Sequence, residues 1–252
     1  MKSPIKDSLN FRCGSFLKKK IDKASIVHSF LFYSGTLEVS LAQGGRFVVA
    51  HTNKYPIYEF WTCAMHDPRR VATMAEQFYP VVSPDLFEVL QQEWATYKGH
   101  YTRAGLFFLL NWCSSTGDIS CGELNNDNFS PHALRTLRAF DVENLYLRRD
   151  MEPDYLRSID TASEADVLLF PVGKYNFNLF EEGKSRGPEM TLVNHKKLKE
   201  RLQGLEQKWL VAYKYHPRLL KEYKDYETTM ISKYGQPTKH PNMCEDIVIA
   251  NF

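Results

Sequence analysis

The hydrophobic pattern changes period along the chain, and each change marks an element. Ser15–Lys23 reads as a short basic helix. Ser25–Tyr33 is apolar and β-branched enough for a strand, which Ser34-Gly35 breaks. Leu37–Leu41 begins a helix, Gln43-Gly44-Gly45 is a turn, and Arg46–Ala50 is a buried strand. From Pro56 the spacing becomes helical. Tyr58–Met65, Arg70–Phe78, Leu86–Lys98, Arg103–Trp112 and His132–Phe140 are predicted helices. Ser83-Pro84-Asp85 and Ser130-Pro131-His132 supply N-caps with proline in the first turn. Between them, Ser114–Asn128 is a polar, turn-rich loop or hairpin.

Strand-like runs return at Val142–Tyr146 and Asp166–Phe170. Tyr175–Pro188 is a long polar loop. Helices are predicted at Asn194–Gly204 and Pro217–Tyr223, and strands at Lys208–Tyr213, Tyr226–Ser232 and Asp246–Asn251. Strand, helix and strand in succession predict an α/β domain built on a parallel sheet. The helical run divides it, with residues 1–55 and 145–252 forming the sheet domain and 56–144 a mostly helical insert.

Composition narrows the class. Of 252 residues, 43% are hydrophobic and 25% charged, which is ordinary for a globular domain. No run approaches the ~18 apolar residues of a membrane span. The first residues lack an apolar signal core, so a cytoplasmic protein is expected. The five cysteines are widely spaced, with no CxxC pair. That argues for reduced thiols, with no metal site and no disulfide framework. A net charge of +2 gives no global basic field. The charge is unevenly placed, however. Residues 1–23 hold seven Lys/Arg against two acids, and residues 183–224 hold eleven against four. Residues 56–144 hold six Lys/Arg against eleven acids.

The order of these pieces resembles the Dam-type DNA adenine methyltransferases over nearly the whole chain. "AGLFFLLNWCSSTG" (Ala104–Gly117) is similar to the family's FFLLNRCSFSG, a helix leading into its DNA-reading loop. "NHKKLKERLQG", "KWLVAYKYHPRLLKEYKDY" and "EDIVIANF" are similar to its FxHxxLxxxL helix, WxLSYN strand, xxLYxxY helix and ExLIxN strand. "VVAHTNKYPIYEFW" is similar to VxANDxNxxIxxFW. The resemblance implies a Rossmann-like methyltransferase sheet, with the insert as target-recognition domain. It also implies methyl transfer from S-adenosylmethionine to the amino group of an adenine flipped out of DNA.

The positions that carry this chemistry in the family are altered here. The WxGGK segment is matched by Asp7-Ser8-Leu9-Asn10-Phe11, without its glycines and lysine. The E/D-x-F-x-G-G turn, where the backbone must approach the cofactor closely, is Leu31-Phe32-Tyr33-Ser34-Gly35-Thr36. Gly35 persists, the acid is Leu31 and the second glycine is Thr36. The ribose-binding ND dipeptide is His51-Thr52, and a threonine lacks the charge-assisted bidentate geometry of an acid. The strand DFVYLDPPY aligns without a gap to Asp166–Lys174, so the catalytic DPPY becomes Pro171-Val172-Gly173-Lys174.

The expectation is therefore a pseudoenzyme without S-adenosylmethionine or other cofactor, serving as a binding or regulatory subunit. Its partner would be an active methyltransferase paralogue in a hetero- or homo-oligomer, with weak DNA contact. Candidate nucleic-acid contacts are Arg12, Lys18, Lys19, Arg135 and Arg138, with Arg148 and Arg149 beside them. The insert is acidic and carries Trp112 where the family has a loop arginine, which weighs against base reading there. Bulky Phe11, Leu31 and Phe32, or the loop 175–188, are expected to close the cofactor space. Two alternatives stand beside this reading. One is a structural or assembly protein, the family being common in phages and large viruses. The other is an active adenine methyltransferase that uses S-adenosylmethionine at an unorthodox site. His51, at a strand end, would serve as a general base only with an orienting acid, and none is evident nearby in the sequence. No Walker loop, HExxH or GxSxG is present.

Overall fold

The computed structural model describes residues 2–152, 154–175 and 193–252. Within them the chain forms two compact units. One contains residues 2–8 and 54–142, the other residues 9–53, 143–175 and 193–252.

The second unit is built on seven strands: β1 (Ile26–Ser29), β2 (Phe47–Thr52), β3 (Leu145–Arg149), β4 (Val167–Gly173), β5 (Lys208–Lys214), β6 (Glu227–Ser232) and β7 (Cys244–Ala250). Their order across the sheet is β3-β2-β1-β4-β5-β7-β6. β1 through β5 run parallel, and β7 is antiparallel to both neighbours. This is a Rossmann-like sheet with the strand order of a methyltransferase, the fold class expected from the sequence. The reversed β7 closes a β6–β7 hairpin into the far edge of the sheet, so the last apolar run, Ile247–Ala250, is buried.

Helices α1 (Gly14–Lys20) and α2 (Thr36–Gln43) belong to this unit, and α2 packs over β2 and β3. Arg46 is buried and donates to the carbonyls of Lys18 and Ile21, which satisfies the end of α1. Asp246 is fully buried and accepts from the Arg12 and Cys13 amides and from Lys214 Nζ. A carboxylate so placed is held by charge-assisted bonds rather than by water.

The first unit contains α3 (Tyr55–His66), α4 (Pro68–Gln77), α5 (Pro84–Glu93), α6 (His100–Cys113) and α7 (Pro131–Arg138). Asp67, Ser83 and Ser130 cap α4, α5 and α7 with side-chain bonds, each followed by proline. α6 is buried along nearly all its length, with Phe107 stacked on Phe60. A Cβ on Gly105 would lie 2.6 Å from Met74 Cβ, so glycine sets how closely α4 and α6 approach. Asn111, fully buried on α6, exchanges two hydrogen bonds with the backbone of Lys6. Among the described residues no helix is long and apolar enough to cross a membrane.

Three strand boundaries near the sheet's switch point, and one additional helix, differ from the sequence reading. β1 ends at Ser29 rather than reaching Tyr33, because Leu31 takes a left-handed backbone with φ +62°. β3 begins at Leu145 instead of Val142, after a left-handed Asn144. β4 continues through Pro171 and Val172 to Gly173 instead of stopping at Phe170. A further short helix, α8 (Tyr155–Ser158), stands between β3 and β4. α9 (His195–Gln203), capped by Asn194, and α10 (Pro217–Glu222) lie where they were expected.

Candidate functional site

In an open parallel sheet, ligands bind at the carboxyl ends of the strands, where the strand order reverses. Here that place is the end of β1 with its neighbours β2 and β4. Three sequence segments meet there.

The first is the turn after β1. Phe30 donates its amide to Leu169 of β4, and Phe32 donates its amide to His51 of β2. In a regular strand, amides two residues apart point to the same neighbour. The left-handed Leu31 breaks that rule and swings the chain across the end of β2. A leucine in this region of backbone space is a genuine outlier. Its side chain stands half-buried where the family resemblance has an acid. Phe32 and Phe11 are buried. Gly35 also has a positive φ, +67°, and N-caps α2. The first turn of α2 then supplies its own negative charge, because Glu38 is buried and accepts from Ser29 Oγ at 2.7 Å.

The second segment is the end of β4. Pro171 pairs with Ala212, and β1 has already ended beside it. By strand alternation its missing N–H falls on the side that β1 has vacated, which is why proline is tolerated in a central strand. Gly173 has φ +88°, and a Cβ there would meet Leu9 side-chain carbons at 2.8 Å. Val172 packs against the apolar core and Lys174 is exposed. No acid or amide side chain stands at Pro171–Lys174.

The third segment is the end of β2, and it corrects the sequence reading of His51. The orienting acid exists, 99 residues away in the chain. β2–β3 pairing places His51 opposite Arg148, and Asp150 two residues further on. His51 Nδ1 lies 3.0 and 3.2 Å from the two Asp150 oxygens. Its Nε2 lies 2.9 Å from Nδ1 of His28 on β1, and Phe30 stacks on the ring at 4.5 Å. Both histidines are buried. His28 Nε2 faces Glu164 at 3.4 Å. Burial pushes His28 down to about 4, helped by the neighbouring His51. With both ring nitrogens of His51 engaged internally, the Asp150–His51 pair is not presented to a ligand as a general base.

These residues do not fit S-adenosylmethionine as the family holds it. Where the family resemblance puts a ribose-binding acid this chain has buried Thr52, and where it puts the acid after β1 it has Leu31. Thr36 stands, half-buried, at the second glycine position.

The other predicted residues are distributed as follows. Arg12 and Lys19 are exposed and Lys18 half-buried, all in the second unit. Arg135 and Arg138 are exposed on α7 in the first unit, and Arg138 pairs with Glu76. The two sets thus belong to different units. Trp112 donates its indole N–H to the Pro4 carbonyl at 3.0 Å. Residues 176–188 of the predicted closing loop lie outside the described residues. The cysteines are free thiols, with Cys13, Cys63 and Cys113 buried. Among the described residues, no group of three or more His, Cys, Asp or Glu is placed to hold a metal ion.

No protein-family model matches the chain. No curated protein matches it either. Among solved structures it is similar to precorrin-6y C5,15-methyltransferase of Geobacter metallireducens, with 10% identity and a TM-score of 0.34. That overlap covers 96% of this chain and 88% of the other. It is also similar to the rRNA methyltransferase aviRa of Streptomyces viridochromogenes, with 14% identity and a TM-score of 0.34, over 90% of this chain and 76% of the other. With overlaps this loose, it is the strand order of the sheet that defines the fold.

Proposed function

We propose that this chain is a non-catalytic relative of the Dam-type DNA adenine methyltransferases, acting as a binding or regulatory subunit. Its partner is an active methyltransferase, DNA, or both. The observation that carries this reading is the end of β4. Methyl transfer to an exocyclic amine needs an acceptor for the amine hydrogens and a surface for the flipped base. The strand offers Pro171, Val172 and Gly173, with Leu9 packed onto the glycine. The lack of a carboxylate at Leu31 and Thr52 also supports a chain that does not use S-adenosylmethionine.

Calorimetric titration of the purified chain with S-adenosylmethionine and its demethylated product tests this directly, followed by a labelled-methyl transfer assay on adenine-containing DNA. The expected result is no binding heat and no label in DNA. One-to-one binding with transfer of label would overturn it. The partner is tested separately, by co-purification with a methyltransferase from the native host. Recovery of no methyltransferase and no DNA would remove the subunit role.

A further inference from the structure

The buried histidine pair has a proton count that does not close. Three gaps lie in one chain: Asp150 to His51 Nδ1, His51 Nε2 to His28 Nδ1, and His28 Nε2 to Glu164. Each gap needs one hydrogen to be attractive. Two neutral imidazoles supply two. The Asp150 carboxylate is nearly buried and in contact at 3.0 Å, so it fixes the tautomers from its end. His51 then donates from Nδ1 and accepts at Nε2, and His28 donates from Nδ1. The shortfall lands on His28 Nε2, a buried nitrogen without a hydrogen-bond partner. Its bare lone pair faces the Glu164 carboxylate.

Glu164 sits on a strap that crosses the sheet. Thr161 accepts a bond from Arg148 of β3 at 3.3 Å. Asp166 is tied to Ile26 of β1 through its own amide and through its side chain at 2.8 Å. Glu164 lies between these anchors over β1, and its side chain is 55% exposed. The charged and titratable groups facing His28 are His51 from β2, Arg148 and Asp150 from β3, and Glu164 from the strap.

We propose that His28, His51, Asp150 and Glu164 form a proton-operated latch, in which one added proton at His28 Nε2 clamps the strap 161–166 onto β1. Before uptake the strap is held by Arg148, by Asp166, by the Gln207 side chain on the Ala162 carbonyl and by the burial of Ala162, with nothing attractive between Glu164 and His28. After uptake all three gaps hold a hydrogen, and an imidazolium lies between two carboxylates. Burial opposes this proton and Glu164 favours it, so uptake occurs on the acid side of neutrality.

The experiment is a nitrogen-15 NMR titration of both imidazole rings in the full chain, wild type and Glu164→Gln, with amide exchange read over residues 161–166. Glu164 is at the surface, so the variant folds. At neutral pH His28 is expected to carry hydrogen on Nδ1 and none on Nε2. On acidification the wild type gains the Nε2 hydrogen, and the strap amides gain protection in the same step. In Glu164→Gln the midpoint falls by about one pH unit and the gain in protection is lost. Three results would each overturn the proposal: an Nε2 hydrogen already present at neutral pH, a midpoint unmoved by Glu164→Gln, or unfolding before any ring takes up the third proton.

Discussion

The two sides of the sheet's switch point differ in kind. At the end of β4, where the resemblance places catalysis, the side chains are a proline, a valine, a glycine and one exposed lysine. At the ends of β2 and β3, His51 and Asp150 are packed with His28 of β1, away from solvent. The buried, mutually bonded polar groups thus lie on the β1–β3 side, and the β4 end carries a single exposed lysine. A parallel sheet tolerates either condition, because its strands are held by backbone pairing and by apolar layers. What differs is how each side responds to change. The β4 end is governed by shape, and the β2–β3 end by charge satisfaction.

The largest expected effect breaks the charged side. His51→Ala leaves Asp150 buried without its donor and removes the ring stacked on Phe30. A loss of about 3–5 kcal/mol is expected in urea unfolding at neutral pH. If the loss is under about 1 kcal/mol, water replaces the imidazole and the pair is dispensable.

Next comes pH. His28 falls from the ordinary histidine value of 6.5 to about 4 in the fold. The unfolded chain therefore takes up this proton first as pH drops. The stabilisation is full above pH 6.5 and is lost progressively as pH falls to about 4. It amounts to about 3 kcal/mol. Comparing unfolding midpoints of the wild type and His28→Leu at pH 7 and pH 5 isolates it. The variant should lose less on acidification.

The shape-governed side is probed by Gly173→Val. The substitution meets both a positive φ and the Leu9 side chain. A loss of about 2 kcal/mol is expected, with no dependence on pH between 5 and 7. A pH-dependent loss would mean that the two sides are coupled. The smallest effect belongs to Lys174→Tyr, which places at an exposed position the aromatic residue found in the family this chain resembles. Stability should change by less than about 0.5 kcal/mol. On the proposed reading, calorimetry of this variant with S-adenosylmethionine stays silent, because Leu31 and Thr52 are untouched.

The α/β class, most helices and the strand Asp166–Phe170 were legible in the sequence. Helix signals are local. Ser83, Ser130 and Asn194 act on amides within three residues, and the structure finds those caps in place. The run Asp166–Phe170 could be placed on a buried strand because its apolar content was sufficient. Sequence could also read which residue types stand at the ends of β1, β2 and β4. It could not see that β4 runs on through Pro171, since a proline reads as a stop until the neighbouring strand is known to have ended. It missed α8, whose four residues are too few to show a period. Where His51 finds its acid depends on the pairing of distant strands. Asp150 comes 99 residues later, and strand pairing carries no local signature of register. The tertiary structure likewise decided that Leu31 would take a left-handed turn and that His28 would lie under Glu164. Local propensity acts over a few residues, whereas the protonation and packing of this sheet depend on which distant strands lie side by side.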